Sequence, residues 1–476
     1  MDVKWEEVFD QCFCERISTA CLNKFKGLGK NGKPVGKEWT VLACVVKSEA
    51  KGAKFDLEVV ALGTGSKCLG GSELPRSGDR LHDSHAEIIA RRAFKLYLMD
   101  QLKSILEDGK SVFVLGEEGF KVRSDVAFHF YCSNVPCGDA SIFPKEPEEE
   151  QPRKRMKIDP ESPLNFVLTK EDPLKIDPPL KNNPPLKKSS LAEDPPLAEE
   201  PLLMKVPLRS ETGDVSEPLP DIHRTGAKCA GREVADPKEN GLNYHVTGVL
   251  RTKPGRGDPT LSHCCSDKMF KWTVQGVQGG LIMPFLERPL YLQTITIGAG
   301  PFNHEAMHRA LHTRFKKGLH GIKPPFAVHV PFIRRSGSEF PHAKPCDEDV
   351  KCKPSAASII WSDTARHKGK AEVSVDGKRL GTTKKNENLP KSRVSICRIE
   401  LLRRAFEVVA KTRERISSCS LTSPRFKELA NIDVSTSYEQ FKSKYSPYQS
   451  VWKCLQDSVL VNWTKKTVGF KDFALD

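Results

Sequence analysis

The chain has 476 residues, 38% of them hydrophobic and 29% charged, with a formal net charge of +14. No run is long and apolar enough to span a bilayer, so a membrane-spanning helix is excluded, and the length suits two or three average domains or one large one with insertions. The cationic excess fits a polyanionic partner such as nucleic acid, although a basic protein without one has the same composition.

The first residues, Met1–Glu7, lack the apolar core of a signal peptide. A reducing compartment is therefore expected, with the fifteen cysteines as buried thiols or metal ligands rather than disulfides. Thr40–Val46 and Phe55–Ala61 are short, β-branched, turn-bounded runs that read as strands. From Ser84 to Glu107, Ile88, Ile89, Phe94, Leu96, Tyr97, Leu102, Ile105 and Leu106 recur at near-helical spacing. Ala127–Tyr131 is a further strand, leading to Pro136-Cys137-Gly138. Residues 144–218 repeat an acidic or amidic residue, proline and leucine, and their proline density and scarce aromatics predict a disordered insertion. Within it, Arg153-Lys154-Arg155 fits either a nuclear import signal or a solvated charge run. Beyond it, Tyr291–Ile297 reads as a strand, and 394–410 and 448–461 read as helices. Strands alternating with helices predict a layered α/β domain.

Three short motifs carry chemistry. Ser84-His85-Ala86-Glu87 is a capping-box pattern, which would explain Glu87 structurally, yet a helix start also lets His85 and Glu87 point into one pocket. Cys137 after Pro136 is either a buried turn cysteine or a thiolate favoured by a helix dipole. Cys264 and Cys265 precede a helix-like Ser266–Trp272, and spacing does not choose between them. Cys132, on the strand, is expected to face the core. One imidazole and two thiolates would hold Zn²⁺ with a fourth position open, and a non-ligand glutamate beside them is the equipment of a nucleobase deaminase.

Taken together, Gly63–Cys68, His85–Arg92, Pro136–Ala140, Leu250–Lys253 and Cys265–Lys268 through Gln278-Gly279 resemble the catalytic domain of the adenosine deaminases acting on RNA. The resemblance implies a cytidine-deaminase-like three-layer α/β/α core with a mixed sheet, extended by a C-terminal helical portion, in one domain over residues 1–476. It implies Zn²⁺ on His85, Cys137 and Cys265, the last because the family's ligand directly precedes Ser-Asp-Lys, and Glu87 as the proton carrier in hydrolysis of adenosine to inosine. It implies a buried inositol hexakisphosphate, matched by Arg91, Arg92, Lys268, Lys271, Trp272, Gln278, Arg398, Tyr438, Lys442 and Tyr448, with Asp83 and Lys253 as a polar relay towards the zinc. Asp83 has a plainer alternative as a helix N-cap. Ser66 and Lys67 match a loop beside the target nucleotide, and Arg256 matches the region of a base-flipping side chain.

The deaminase segment is expected to start almost at Met1, with no separate double-stranded-RNA-binding domain before it, and Arg224–Lys228 and Pro254–Asp258 also resemble the tRNA-specific branch of the family. That implies a tRNA substrate, with the adenosine 3′ of the anticodon in alanine tRNA as target, in nucleus or cytoplasm, without a membrane or an obligate protein partner. Lys368, Lys370, Lys378, Arg379, Lys384 and Lys385 form a further basic stretch, for RNA phosphate or simply solvated. Two competing functions share parts of this pattern. Cytidine deamination uses the same metal chemistry, but the distant Cys265 and the polyphosphate residues argue against it. An RNA-binding protein with a purely structural zinc would have no use for Glu87.

Overall fold

The computed structural model describes residues 4–52, 54–145, 220–231, 233–255, 258–345, 351–364, 367, 370–418, 421–465 and 469–475. Nearly all of the expected insertion, including Arg153–Arg155, lies outside them, as do Arg256 and Lys368.

An eight-stranded mixed sheet organises the fold. It starts with the antiparallel hairpin β1 (Leu42–Lys51) and β2 (Lys54–Thr64). Along β1, Ala43 and Val45 belong to one core cluster while Leu42, Cys44 and Val46 belong to another. Both faces are covered, which is why the strand is a continuous apolar run rather than an alternating one. On one face sits α1 (Gln11–Gly27), burying Phe13, Cys14, Ile17 and Cys21. On the other sits α2 (Ala86–Leu106), burying Ile89, Ala90, Phe94 and Leu98.

A two-stranded ribbon, β3 (Ser66–Cys68) and β4 (Asp83–His85), runs directly into α2. β5 (Val126–Cys132) pairs antiparallel with β1, and Cys132 is buried in the core. Then follow α3 (Cys265–Gln275), β6 (Thr294–Ile297), α4 (His304–Leu311), β7 (Phe332–Arg335), β8 (Ala357–Ser362), β9 (Glu372–Val375) and β10 (Lys378–Arg379). The sheet order is β7-β6-β5-β1-β2-β8-β9-β10. The β7-β6-β5 pairings are parallel and the rest antiparallel. The C-terminal portion adds α5 (Arg398–Ser417), α6 (Tyr438–Ser443) and α7 (Ser446–Ser458).

The sequence-based elements are recovered with shifted ends. The strand expected from Tyr291 starts at Thr294, and the Tyr291 hydroxyl bonds the carbonyls of Val274 and Ala327. The helix expected from 394 starts at Arg398, and Val394, Ile396 and Cys397 are buried lead-in residues. Pro144 and Lys145, expected to be insertion, belong to the folded part. Lys145 N–H donates to the Asp221 carbonyl at 2.8 Å, and His223 N–H donates to the Phe143 carbonyl at 2.9 Å. The two ends of the insertion are thereby joined as a short antiparallel stem.

One glycine fixes how α2 meets the sheet. A Cβ on Gly63 of β2 would lie 2.6 Å from Ala90 N and 2.7 Å from Ala86 O. Those are backbone atoms in the first turns of the helix and have no rotamer to move aside. Gly63→Ala is therefore expected to destabilise the protein by about 1–3 kcal/mol, the usual cost of overpacking. Urea unfolding of parent and variant measures it.

Candidate metal centre and adjoining cationic cavity

The ribbon sets Ser66 opposite His85 and Lys67 opposite Ser84. Ser84 is held in β4, so His85 rather than Ser84 is the N-cap residue of α2, and its side chain makes no capping bond. The expected capping box does not form. Asp83 is likewise a ribbon residue rather than the N-cap, and its Oδ1 accepts from His85 N–H at 3.2 Å.

Cys137 is carried on the turn after β5. The next residue, Gly138, has φ of 103°, and a Cβ there would approach Cys264 Cβ and Ser266 Oγ to 2.6 Å each. Only glycine lets this turn close onto the start of α3. Cys264 is the N-cap of α3 and Cys265 its first residue. Cys265 N–H points at Cys137 Sγ, 3.3 Å away.

The three elements bring His85, Cys137 and Cys265 together, with their ligand atoms within 4.8 Å of one another. His85 Nδ1 lies 3.8 Å from Cys137 Sγ and 3.6 Å from Cys265 Sγ. Tetrahedral zinc with ordinary Zn–N and Zn–S bonds separates nitrogen and sulfur by about 3.6 Å. Hydrogen bonds from Cys264 and Cys265 hold the Cys137 thiol well below the usual thiol range, whereas burial and Cys137 push Cys265 well above it. One thiolate thus opposes a second, and a divalent cation removes that opposition. Donor chemistry and spacing both fit zinc.

Glu87 is 3% exposed beside this cluster. Burial pushes its carboxyl above the usual range, against the lowering influence of His85. Lys253, also buried, donates to both Asp83 oxygens at 2.8 and 2.9 Å and lies 3.3 Å from Cys265 Sγ. Asp83 further accepts from Ser262 Oγ at 2.8 Å and from Lys268. Despite its burial, Lys253 and Lys268 hold Asp83 well below the carboxylate range.

Asp83, Ser262 and Lys268 also line a neighbouring cavity of about 230 Å³. Among the described residues, six basic side chains line it, Arg91, Arg92, Lys95, Lys268, Lys271 and Lys442, against the single carboxylate of Asp83. Trp272, Gln275, Tyr438 and Tyr448 complete much of the wall. Arg91 and Arg92 anchor Nε on the carbonyls of Val277 and Ile396 at 2.8 and 2.7 Å. Burial and the surrounding cations hold Lys95 and Lys271 well below the lysine range, and burial lowers Arg91 to about 10. Against its own burial, Lys442, Arg92 and Arg398 pull the Tyr438 hydroxyl down. Unneutralised positive charge dominates this cavity, which fits a polyphosphate.

Lys95 is the member that motif matching did not find. It follows Arg91 by one helical turn, so i, i+4 spacing along α2 was the available signal. Gln278, by contrast, does not line the cavity. Its amide donates to the Gln275 carbonyl at 2.9 Å and accepts from Leu290 N–H at 2.9 Å. Arg398 is not among the lining residues either, and its guanidinium lies 4.1 Å from the Phe470 ring centroid. Near the metal centre, Ser66 Oγ is buried without a hydrogen-bond partner among the described residues, and Lys67 is half-buried. In the other basic stretch, Lys378 pairs with Asp79 and Arg379 with Glu372 at 2.6 Å, while Lys370, Lys384 and Lys385 are exposed.

Purified protein is expected to contain about one zinc per chain. Cys265→Ala should lose it and Cys264→Ala should keep it, as read by elemental analysis. Equal loss from both would overturn the ligand assignment.

The sequence profile of the adenosine-deaminase (editase) domain matches residues 61–467. The chain is 34% identical to tRNA-specific adenosine deaminase 1 of Mus musculus, with 96% of this chain and 99% of that protein aligned. It is 33% identical to the Homo sapiens protein of the same name, with the same coverage. The double-stranded RNA-specific editase Adar of Drosophila melanogaster is 28% identical over 67% of this chain and 38% of its own length. A histidine and two cysteines meeting a buried glutamate, within a matched domain and beside near-full-length relatives, lead to one conclusion: this chain belongs to the adenosine-deaminase (editase) domain family.

Proposed function

We propose that this adenosine deaminase converts adenosine to inosine in tRNA, with zinc at the reaction centre and inositol hexakisphosphate buried beside it as a structural group. The observation that carries the chemistry is Glu87, a buried carboxyl placed next to the His85, Cys137 and Cys265 cluster without belonging to it. The tRNA substrate is supported by the names of the near-full-length relatives. The adenosine 3′ of the anticodon in alanine tRNA is supported by the resemblance of Arg224–Lys228 and Pro254–Asp258 to the tRNA-specific branch. The same branch supports action in nucleus or cytoplasm.

Zinc held by His85, Cys137 and Cys265 would supply a Lewis acid that acidifies water near neutral pH. The raised carboxyl of Glu87 is suited to accept a proton from that water, deliver it to the adenine ring, and serve the departing amine. Water adds at C6, ammonia leaves, and inosine remains. The cluster is reachable from its His85 and Cys137 side, which is only half-buried. A base enters there only after leaving its stack, and Ser66 and Lys67 stand on the ribbon strand next to His85. Lys253 holds the Cys265 sulfur and ties it to Asp83. Arg91, Arg92, Lys95, Lys268, Lys271 and Lys442 would hold the polyphosphate.

Glu87→Gln should reduce inosine formation in folded tRNA by at least about 10²-fold, the scale of general acid–base catalysis, with metal content unchanged. Near-parental turnover, measured by sequencing the treated tRNA, would remove Glu87 from the chemistry.

The cavity predicts an unusual pH dependence. Lys95 and Lys271 are held below the value of about 10.4 that they take in the unfolded chain. Between the folded and unfolded values the unfolded chain binds more protons, so stability rises with pH. Thermal melts of polyphosphate-depleted protein should therefore show Tm climbing as pH rises towards the unfolded lysine value of about 10.4. Added inositol hexakisphosphate should raise Tm and flatten that slope. A Tm that ignores the added compound would reject it as a structural group.

A further inference from the structure

Each cysteine of the metal centre is followed two residues later by an aspartate, in Cys137-Gly138-Asp139 and Cys265-Ser266-Asp267. Both aspartates are 0% exposed. A buried carboxylate needs a cation or a full set of donors, and both acids find theirs on the same two pieces of chain. Arg309 of α4 donates through Nε to Asp139 Oδ2 at 2.9 Å, and through Nη2 to the carbonyls of Asp139 and Ile142 at 2.9 and 2.8 Å. Arg314, just beyond α4, donates through Nη2 to Asp267 Oδ1 at 2.6 Å and through Nη1 to the Val249 carbonyl at 2.8 Å. The second oxygen of each acid takes a backbone N–H from one short segment. Gly248 N–H reaches Asp139 Oδ1 at 2.6 Å, and Arg251 N–H reaches Asp267 Oδ2 at 2.9 Å.

We infer that Arg309 and Arg314 are positioning residues that fix the Cys137 and Cys265 sulfurs relative to each other. The inference rests on the zinc reading of the cluster. The two ligand turns touch directly through few bonds, among them Cys265 N–H to Cys137 Sγ at 3.3 Å and Ser266 N–H to the Cys137 carbonyl at 3.1 Å. The turns carrying the two sulfurs share one external brace. α4 provides it, being anchored by buried Ala306, Met307, Ala310 and Leu311. Each guanidinium then reaches back to the acid behind one sulfur. A planar fork holds several acceptors at set angles, which a lysine ammonium does not. Polar groups supporting metal ligands in this way are worth about 10–100-fold in metal affinity or activity.

The test compares Arg309→Lys and Arg314→Lys with the parent and with Arg123→Met, a control in a surface ion-pair group with Glu49 and Asp125. Zinc release to a competing chelator, and the visible spectrum after cobalt substitution, are measured on folded protein. Release about 10–100-fold faster in both lysine variants, with shifted sulfur-to-cobalt bands, is the expected result, while the control keeps parental values whatever its Tm. Should a lysine variant fail to fold, Asp139→Asn and Asp267→Asn face the same two measurements. Parental release and spectra in the variants, with lowered Tm alone, would reduce the arginines to ordinary fold stabilisers and overturn the inference. A parent protein that takes up neither zinc nor cobalt would instead overturn the metal reading itself.

Discussion

Like charges crowded out of water are the constraint on which the rest of this structure depends, and α2 meets it twice. At its N-terminal end, His85 leads into a cluster with two thiols whose ionisations oppose each other. Along its flank, Arg91, Arg92 and Lys95 face a cavity completed by Lys268, Lys271 and Lys442. Two like charges about 4 Å apart cost roughly 4 kcal/mol at the effective dielectric near a protein surface, and several such pairs rival the whole stability of a domain. Among the described residues, Asp83 is the one carboxylate lining that cavity. Between cluster and cavity, Lys253, Asp83, Ser262 and Lys268 form a hydrogen-bonded chain that touches Cys265 on one side and the cavity wall on the other. The cavity wall and the Cys265 sulfur are thereby linked through four side chains.

The chemistry was more legible in the sequence than the geometry that supports it. His85, Glu87 and Cys137 sit in short motifs whose residue types match those that ligation and proton transfer require. Cys265 needed the family's Ser-Asp-Lys context, because spacing treats it and Cys264 alike. The capping-box pattern at Ser84 misled, since local propensity cannot see that a distant strand, β3, captures Ser84 in a ribbon. Gln278 has a family match yet spends its amide on Gln275 and Leu290. Lys95 looked like any lysine on a long helix until the opposing walls of the cavity were in place. Arg309 and Arg314 were invisible for the same reason. Nothing near them in the chain predicts that they reach acids behind two cysteines, one on a turn after β5 and one at the start of α3.

The stem that joins Phe143–Lys145 to Asp221–His223 has a consequence for how the molecule could be divided. A cut between residues 145 and 220 would leave β1, β2 and β5 on one fragment and β6 to β10 on the other. The fragments would still meet along two seams, β5 with β6 and β2 with β8. His85 and Cys137 would belong to the first fragment and Cys265 to the second. Neither fragment alone would hold all three of these residues. The protein thus has the layout of a two-piece complementation system, in which the meeting of His85, Cys137 and Cys265 requires both halves.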